Sequence, residues 1–176
     1  MKISATTTLP ELAFIVGNTM IEAGITAVLS GGGAATVYVP EAYQSRDLDF
    51  ILGYWGSASE KPLLKLGFQR RNQMYIHAET TYTLEFPPGP LAVGSDQILT
   101  WNRLNHGDQK LDIISPTDCV RDRLAWFLFN SDFAALDQAL SVAMAQEIDL
   151  EIIEDWCKRE GQPQKFELFK ARLKAG

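Results

Sequence analysis

Asp47 and Asp49 stand one residue apart in the stretch LSGGGAATVYVPEAYQSRDLDFIL, and three successive glycines precede them. If DLDFIL is a strand, successive side chains alternate between its faces, so both aspartates share one face and Leu48 and Phe50 the other. The two carboxylates become near neighbours. Like charges on a partly buried face are costly to keep ionised, so a cation should lie between them. A hard divalent ion, Mg2+ or Mn2+, suits the position because it takes a few carboxylate oxygens together with phosphates and water. Gly31, Gly32 and Gly33 let backbone amides approach a ligand closely, and a helix start after them favours anions, phosphate foremost. Each signal alone has a plainer explanation: a tight turn for the glycines, solvated charges at a strand end for the acids.

The surrounding elements must bring these residues together. Apolar residues at Leu12, Ile15, Val16, Met20 and Ile21 predict a first helix from about residue 10 to 23, with Gly24 at its stop. TAVLS predicts a buried strand that ends at the glycines, GAATVYV a short second helix, and DLDFIL the second strand. SASEKPLLKLG predicts a helix capped by Ser57 or Ser59. QMYIHAE and TYTLEF alternate as two strands ended by PPGP, and QILTWNRL and QKLDII form another pair through NHGD, a hairpin signal. After SPTD the composition becomes helical. Thr117 or Ser115 would cap a helix over CVRDRLAWFLF, followed by helices over DFAALDQALSVAMAQ, LEIIEDWCKRE (capped by Asp149) and PQKFELFKARLKA. The expectation is an α+β chain: a mixed sheet flanked by helices over residues 1–115, then a helical portion over 116–176 packed on that core.

The order of strand, glycines, short helix and a strand carrying SRDLDF resembles the nucleotidyltransferase superfamily, whose signature is a glycine pair followed by [ST]-x-D-x-D. Its minimal and abortive-infection toxin members are the most similar, over roughly Thr26 to Phe86. The resemblance implies a metal-dependent transfer of a nucleoside monophosphate from a nucleoside triphosphate to a hydroxyl of a protein, an RNA end or a small molecule, in a toxin–antitoxin component. Asp47 and Asp49 would hold the metal, Gly31, Gly32 and Gly33 the phosphates, and Ser45 would orient an aspartate or touch phosphate. A third carboxylate from an adjacent strand would complete a second metal site and take the acceptor's proton. Glu85 in YTLEF is the candidate, with Glu79 and Asp112 as alternatives.

Other residues leave both a functional and a structural reading open. Lys65, Arg70 and Arg71 could meet phosphate or simply be solvated. Arg121 and Arg123 could cover the ligand, whereas Asp118 shares a helical face with Arg121 and would pair with it. Trp126, Phe127 and Phe129 read as core, and Cys119 and Cys157 as buried thiols. The only two histidines, His77 and His106, lack metal-ligand spacing.

With 16 basic and 22 acidic residues the formal charge is −6, which disfavours duplex DNA held through its phosphates. No apolar run reaches the roughly 20 residues of a membrane span, and MKISATTTLPELAFIVG makes a poor signal peptide, so a cytoplasmic protein is expected. Two other classes remain open: a catalytically silent nucleotide-binding or interaction module on the same fold, and a structural partner that binds no nucleotide.

Overall fold

The computed structural model describes residues 2–53 and 57–175. Helix α1, Leu9–Glu22, begins at Thr8, whose hydroxyl caps the Glu11 amide while the Glu11 carboxylate returns to the Thr8 amide. Gly24, with φ +70°, ends it. Strand β1, Ala27–Ser30, then runs directly into helix α2, Gly31–Tyr38. The glycines are therefore the first turn of α2 and not a bend ahead of it. Gly31 holds φ +67°, a left-handed conformation that costs glycine least.

Strand β2, Asp47–Leu52, returns antiparallel to β1, with Ser30 opposite Asp49 and Val28 opposite Ile51. Helix α3, Ser57–Lys65, follows. The residue ahead of it lies outside the described residues, as does the Ser57 side chain on which one cap was expected; Ser59 is buried within the first turn. Strands β3 (Gln69–Arg71), β4 (Met74–His77) and β5 (Thr80–Glu85) form an antiparallel ribbon, and β5 then pairs in parallel with β2. Strands β6 (Ala92–Val93) and β7 (Asp96–Gln97) make a separate small hairpin. Strands β8 (Asn102–His106) and β9 (Gln109–Ile113) make the expected hairpin, turning at Gly107, and β9 joins β1 in parallel. The main sheet has seven strands in the order β3-β4-β5-β2-β1-β9-β8.

Four helices complete the chain: α4 (Pro116–Asn130), α5 (Phe133–Ala145), α6 (Leu150–Arg159) and α7 (Pro163–Ala175). Ser115, and not Thr117, caps α4 by accepting from the Asp118 amide; Asp132 and Asp149 cap α5 and α6 in the same manner. Helix α4 packs on α5, α6 and α2, so the helical portion adjoins the glycine-started helix.

One face of the sheet carries the core. Leu48 and Phe50 of β2 lie beside Leu84 of β5 and Leu29 of β1, and Ile113 of β9 continues the row; all are fully buried. Each such side chain contributes about 1.5–3 kcal/mol relative to exposure, which fixes the register and turns the alternate residues to the opposite face. Among the described residues no helix is long and apolar enough to cross a membrane.

Candidate active site

The apolar register of β2 sends Asp47 and Asp49 to the face away from the core. Its parallel pairing with β5 sets Asp47 opposite Thr83 and Asp49 opposite Glu85, so Glu85 projects from that same face beside Asp49. Of the alternatives, Glu79 sits in the exposed β4–β5 turn, and Asp112 is buried in a two-point ion pair with Arg103, at 2.6 and 2.8 Å.

Three contacts tie the acids to α2. Ser45 donates to Asp47 Oδ1 at 2.8 Å. The Ser45 amide donates to Thr36 Oγ1 at 2.9 Å, and the Thr36 hydroxyl donates to the Gly32 carbonyl at 3.1 Å. A buried hydroxyl thus links the first turn of the helix to the residue that orients Asp47. The absent glycine side chains make room for this packing. A Cβ on Gly31 would lie 2.6 Å from Asp49 Oδ2, one on Gly32 would lie 3.1 Å from Ser45 Oγ, and one on Gly33 would press on Leu48 and the Asp47 carbonyl. Ser30, the N-cap residue, makes no side-chain cap bond. The first amides of α2 are left without that partner, as an anion would require.

Electrostatics follow from this crowding. Burial, then the Asp47 and Glu85 carboxylates, push the Asp49 carboxyl up to about 6 from its ordinary value near 3.8. Arg123 of α4 opposes that shift, and Asp122 adds to it. Arg123 is committed elsewhere: it gives Nε and Nη2 to Asp122, at 2.9 and 2.6 Å. Among the described residues no lysine or arginine forms an ion pair with Asp47, Asp49 or Glu85. An all-oxygen, electron-rich set with a glycine at its back fits a hard divalent cation in chemistry. Yet among the described residues no three His, Cys, Asp or Glu side chains are gathered closely enough to grip one. The acids repel at short range without forming a finished cage.

The other residues singled out above divide. Arg70 pairs with Glu60 at 2.9 Å, while Lys65 and Arg71 are exposed. Arg121 pairs with Asp118, as its spacing predicts, and also with Asp96 of β7. Arg123 is the member of that pair that bears on Asp49. Phe127 is core, but Trp126 and Phe129 are about half exposed, contrary to the reading of all three as core: at positions 126 and 129 they turn off the α4 face that meets α5 and α2. Cys119 and Cys157 are buried free thiols, both with raised pKa values caused first by burial. A bearing of Asp122 on the site was missed: the alternating charges of Arg121, Asp122 and Arg123 on a helix read as local ion pairing, and only the packing of α4 beside α2 brings Asp122 near Asp49.

Beyond Asp49 the same face opens into a cleft of about 1130 Å³. Its lining includes Glu85 together with Val28 and Ile51, the next pair after Ser30 and Asp49 on that face of the sheet.

No protein-family model matches the chain, and no curated protein matches it in sequence. Solved structures do match in shape. An antigenic nucleotidyltransferase-like protein from Paracoccidioides brasiliensis superposes with a TM-score of 0.60 at 16% identity, covering 80% of this chain and 77% of that one. The antibiotic-resistance factor ANT(2'')-Ia, in its solution structure, gives 0.50 at 14% identity over 94% of this chain and 91% of its own. ANT(2'')-Ia in complex with adenylyl-2''-tobramycin gives 0.50 at 12% identity over 94% and 97%. With a glycine-started helix beside an acid-bearing strand of a mixed sheet, the chain shares the fold of these nucleotidyltransferase-like structures.

Proposed function

We propose that the protein is a nucleotidyltransferase that moves a nucleoside monophosphate from a nucleoside triphosphate to a hydroxyl acceptor. The observation that carries this reading is the acid set on β2 and β5: Asp49 is crowded by Asp47 and Glu85 and neutralised by no cationic partner among the described residues. A folded protein rarely leaves such a set uncompensated unless a ligand supplies the charge.

Asp47 and Asp49, with Glu85 beside them, would hold a Mg2+ or Mn2+ ion. When bound, the ion supplies positive charge to the phosphate oxygens on which charge develops. Ser45 keeps the Asp47 carboxylate in one rotamer. The uncapped amides of Gly31, Gly32 and Gly33 receive the terminal phosphates. Glu85 takes the proton of the acceptor hydroxyl as its oxygen bonds to the α-phosphorus; the bond from that phosphorus to the β-phosphate bridging oxygen breaks, and pyrophosphate leaves. The acceptor is a protein, an RNA end or a small molecule. In ANT(2'')-Ia the complex contains adenylyl-2''-tobramycin, an adenylylated small molecule. Work inside the cytoplasm, and a toxin–antitoxin role, rest on the resemblance and on the nucleotide donor.

A second reading is favoured by one observation, the incomplete convergence of the three carboxylates. On that reading the chain binds nucleotide without turnover. Incubation with each α-labelled triphosphate, Mg2+ or Mn2+ and cell extract separates the two. Label transfer that disappears in Asp47→Asn supports the enzyme; nucleotide binding without transfer supports the silent module; transfer that survives the substitution contradicts the mechanism.

A further inference from the structure

The cleft beyond Asp49 has a direction set by the sheet. Ser30 lies opposite Asp49, and the glycines follow Ser30. Stepping from Ser30 back to Val28 on β1 moves away from the glycines, and because β2 is antiparallel, stepping from Asp49 on to Ile51 moves the same way. One same-face step along a strand is about 7 Å. Strand β5 is parallel to β2, so the chain beyond Glu85 continues along the cleft as Phe86, Pro87 and Pro88. The acids therefore separate two regions: helix-start amides on one side, the cleft on the other.

Nucleotidyl transfer runs in line, with attacking and leaving oxygens on opposite sides of phosphorus. If the leaving pyrophosphate is held at the start of α2, attack comes from the cleft, past Glu85. The chemistry of the cleft then describes the acceptor. Val28 and Ile51 form its floor, and Pro87, Leu91, Leu99 and Trp101 are among its walls. Among the described residues that line it, the charged ones are Glu85 and Arg70, and Arg70 is paired with Glu60. A polycation would lose its hydration against apolar walls and find one carboxylate; an apolar ring would fill the same volume with no such penalty.

Resting on the nucleotidyl-transfer reading, we propose that the cleft holds the acceptor and that the acceptor is an uncharged, largely apolar alcohol or phenol of small-molecule size. Trp101 and Leu99, 38% and 76% exposed, stand at the rim and can be changed without opening the core.

The test supplies the full-length protein with Mg2+, each α-labelled triphosphate and one of three acceptors: naphthol, naphthalenemethanol or kanamycin. The expected result is label on an aromatic acceptor with kcat/KM at least about tenfold above that for kanamycin. Trp101→Ala and Leu99→Lys should each raise the aromatic acceptor's KM roughly tenfold while the triphosphate's KM stays within about twofold. Kanamycin as the better acceptor, or rim substitutions that leave the acceptor's KM unmoved, would overturn the proposal. Calorimetry separates the failures: Mg2+ and triphosphate bound, with no label on any aromatic acceptor, overturns the acceptor class and leaves the transfer reading standing. Triphosphate not bound at all overturns both.

Discussion

Two groups of carboxylates in this chain meet opposite treatment. Asp96 and Asp118 are neutralised by arginine: Arg121, with a side chain 7% exposed, bonds both of them, Arg159 adds a second cation to Asp96, and the Arg121 guanidinium lies 5.3 Å from the centre of the Trp156 ring. Asp112 likewise has Arg103. Asp47, Asp49 and Glu85 have no such partner among the described residues, and the guanidinium that bears on Asp49, that of Arg123, is bound to Asp122. Asp96, Asp112 and Asp118 are compensated by arginine where they build structure, whereas the acids of β2 and β5 form no ion pair among the described residues. Fold architecture thus uses internal counter-charges, and the proposed function assigns the β2 acids an external one. Stability given up at such a position is a frequent cost of a binding site.

The comparison can be broken from either side. The largest effect is expected from Asp49→Asn, which should lower nucleotidyl transfer on the order of a thousandfold with the fold intact; circular dichroism and label transfer check both halves. On the structural side, Arg121→Met leaves Asp96 and Asp118 without their shared partner. It should cost about 3 kcal/mol in urea unfolding, because Asp118 is left a largely buried charge with no cationic partner, while Asp96 keeps Arg159.

The same Asp49→Asn change should have the opposite sign in stability. The folded state holds the Asp49 proton more tightly than the unfolded chain does, because its carboxyl is raised to about 6. Stability from this group is therefore present at low pH and lost as pH rises from about 4 to about 6. At about pH 8 without divalent metal, Asp49→Asn should be more stable than the parent by roughly 2 kcal/mol, and a pH series of thermal melts should show the parent's decline flattened in the variant. Equal stability across that range would remove the electrostatic argument. The smallest effect is expected at the support: Ser45→Ala, which frees Asp47 Oδ1, should lower activity about tenfold and leave Tm nearly unchanged.

Much of the site was legible because it obeys period two. Hydrophobic Leu48 and Phe50 must face the core, so Asp47 and Asp49 could only face away, and the same logic in TYTLEF placed Glu85. The pairing of Asp49 with Glu85 depends on a parallel register that no short-range signal encodes. Three successive glycines are poor helix formers, and propensity alone reads them as a turn; α2 begins there because Asp49, Ser45 and Leu48 occupy the space that side chains would need. Strand β3 carries Gln69, Arg70 and Arg71, all exposed, so it had no alternation to detect. The run expected as one strand over residues 97–104 is divided, since Gln97 belongs to the β6–β7 hairpin and β8 starts only at Asn102. The cap at Asp149 was readable because a side-chain oxygen ahead of an apolar helix answers a local need.

The most direct test of the central claim is Mn2+ binding followed by electron paramagnetic resonance, with a non-hydrolysable triphosphate present, in the parent and in Asp49→Asn. The account predicts Mn2+ bound together with nucleotide in the parent, and affinity reduced at least about a hundredfold in the variant. Equal Mn2+ binding by both proteins, or none by the parent, would contradict it.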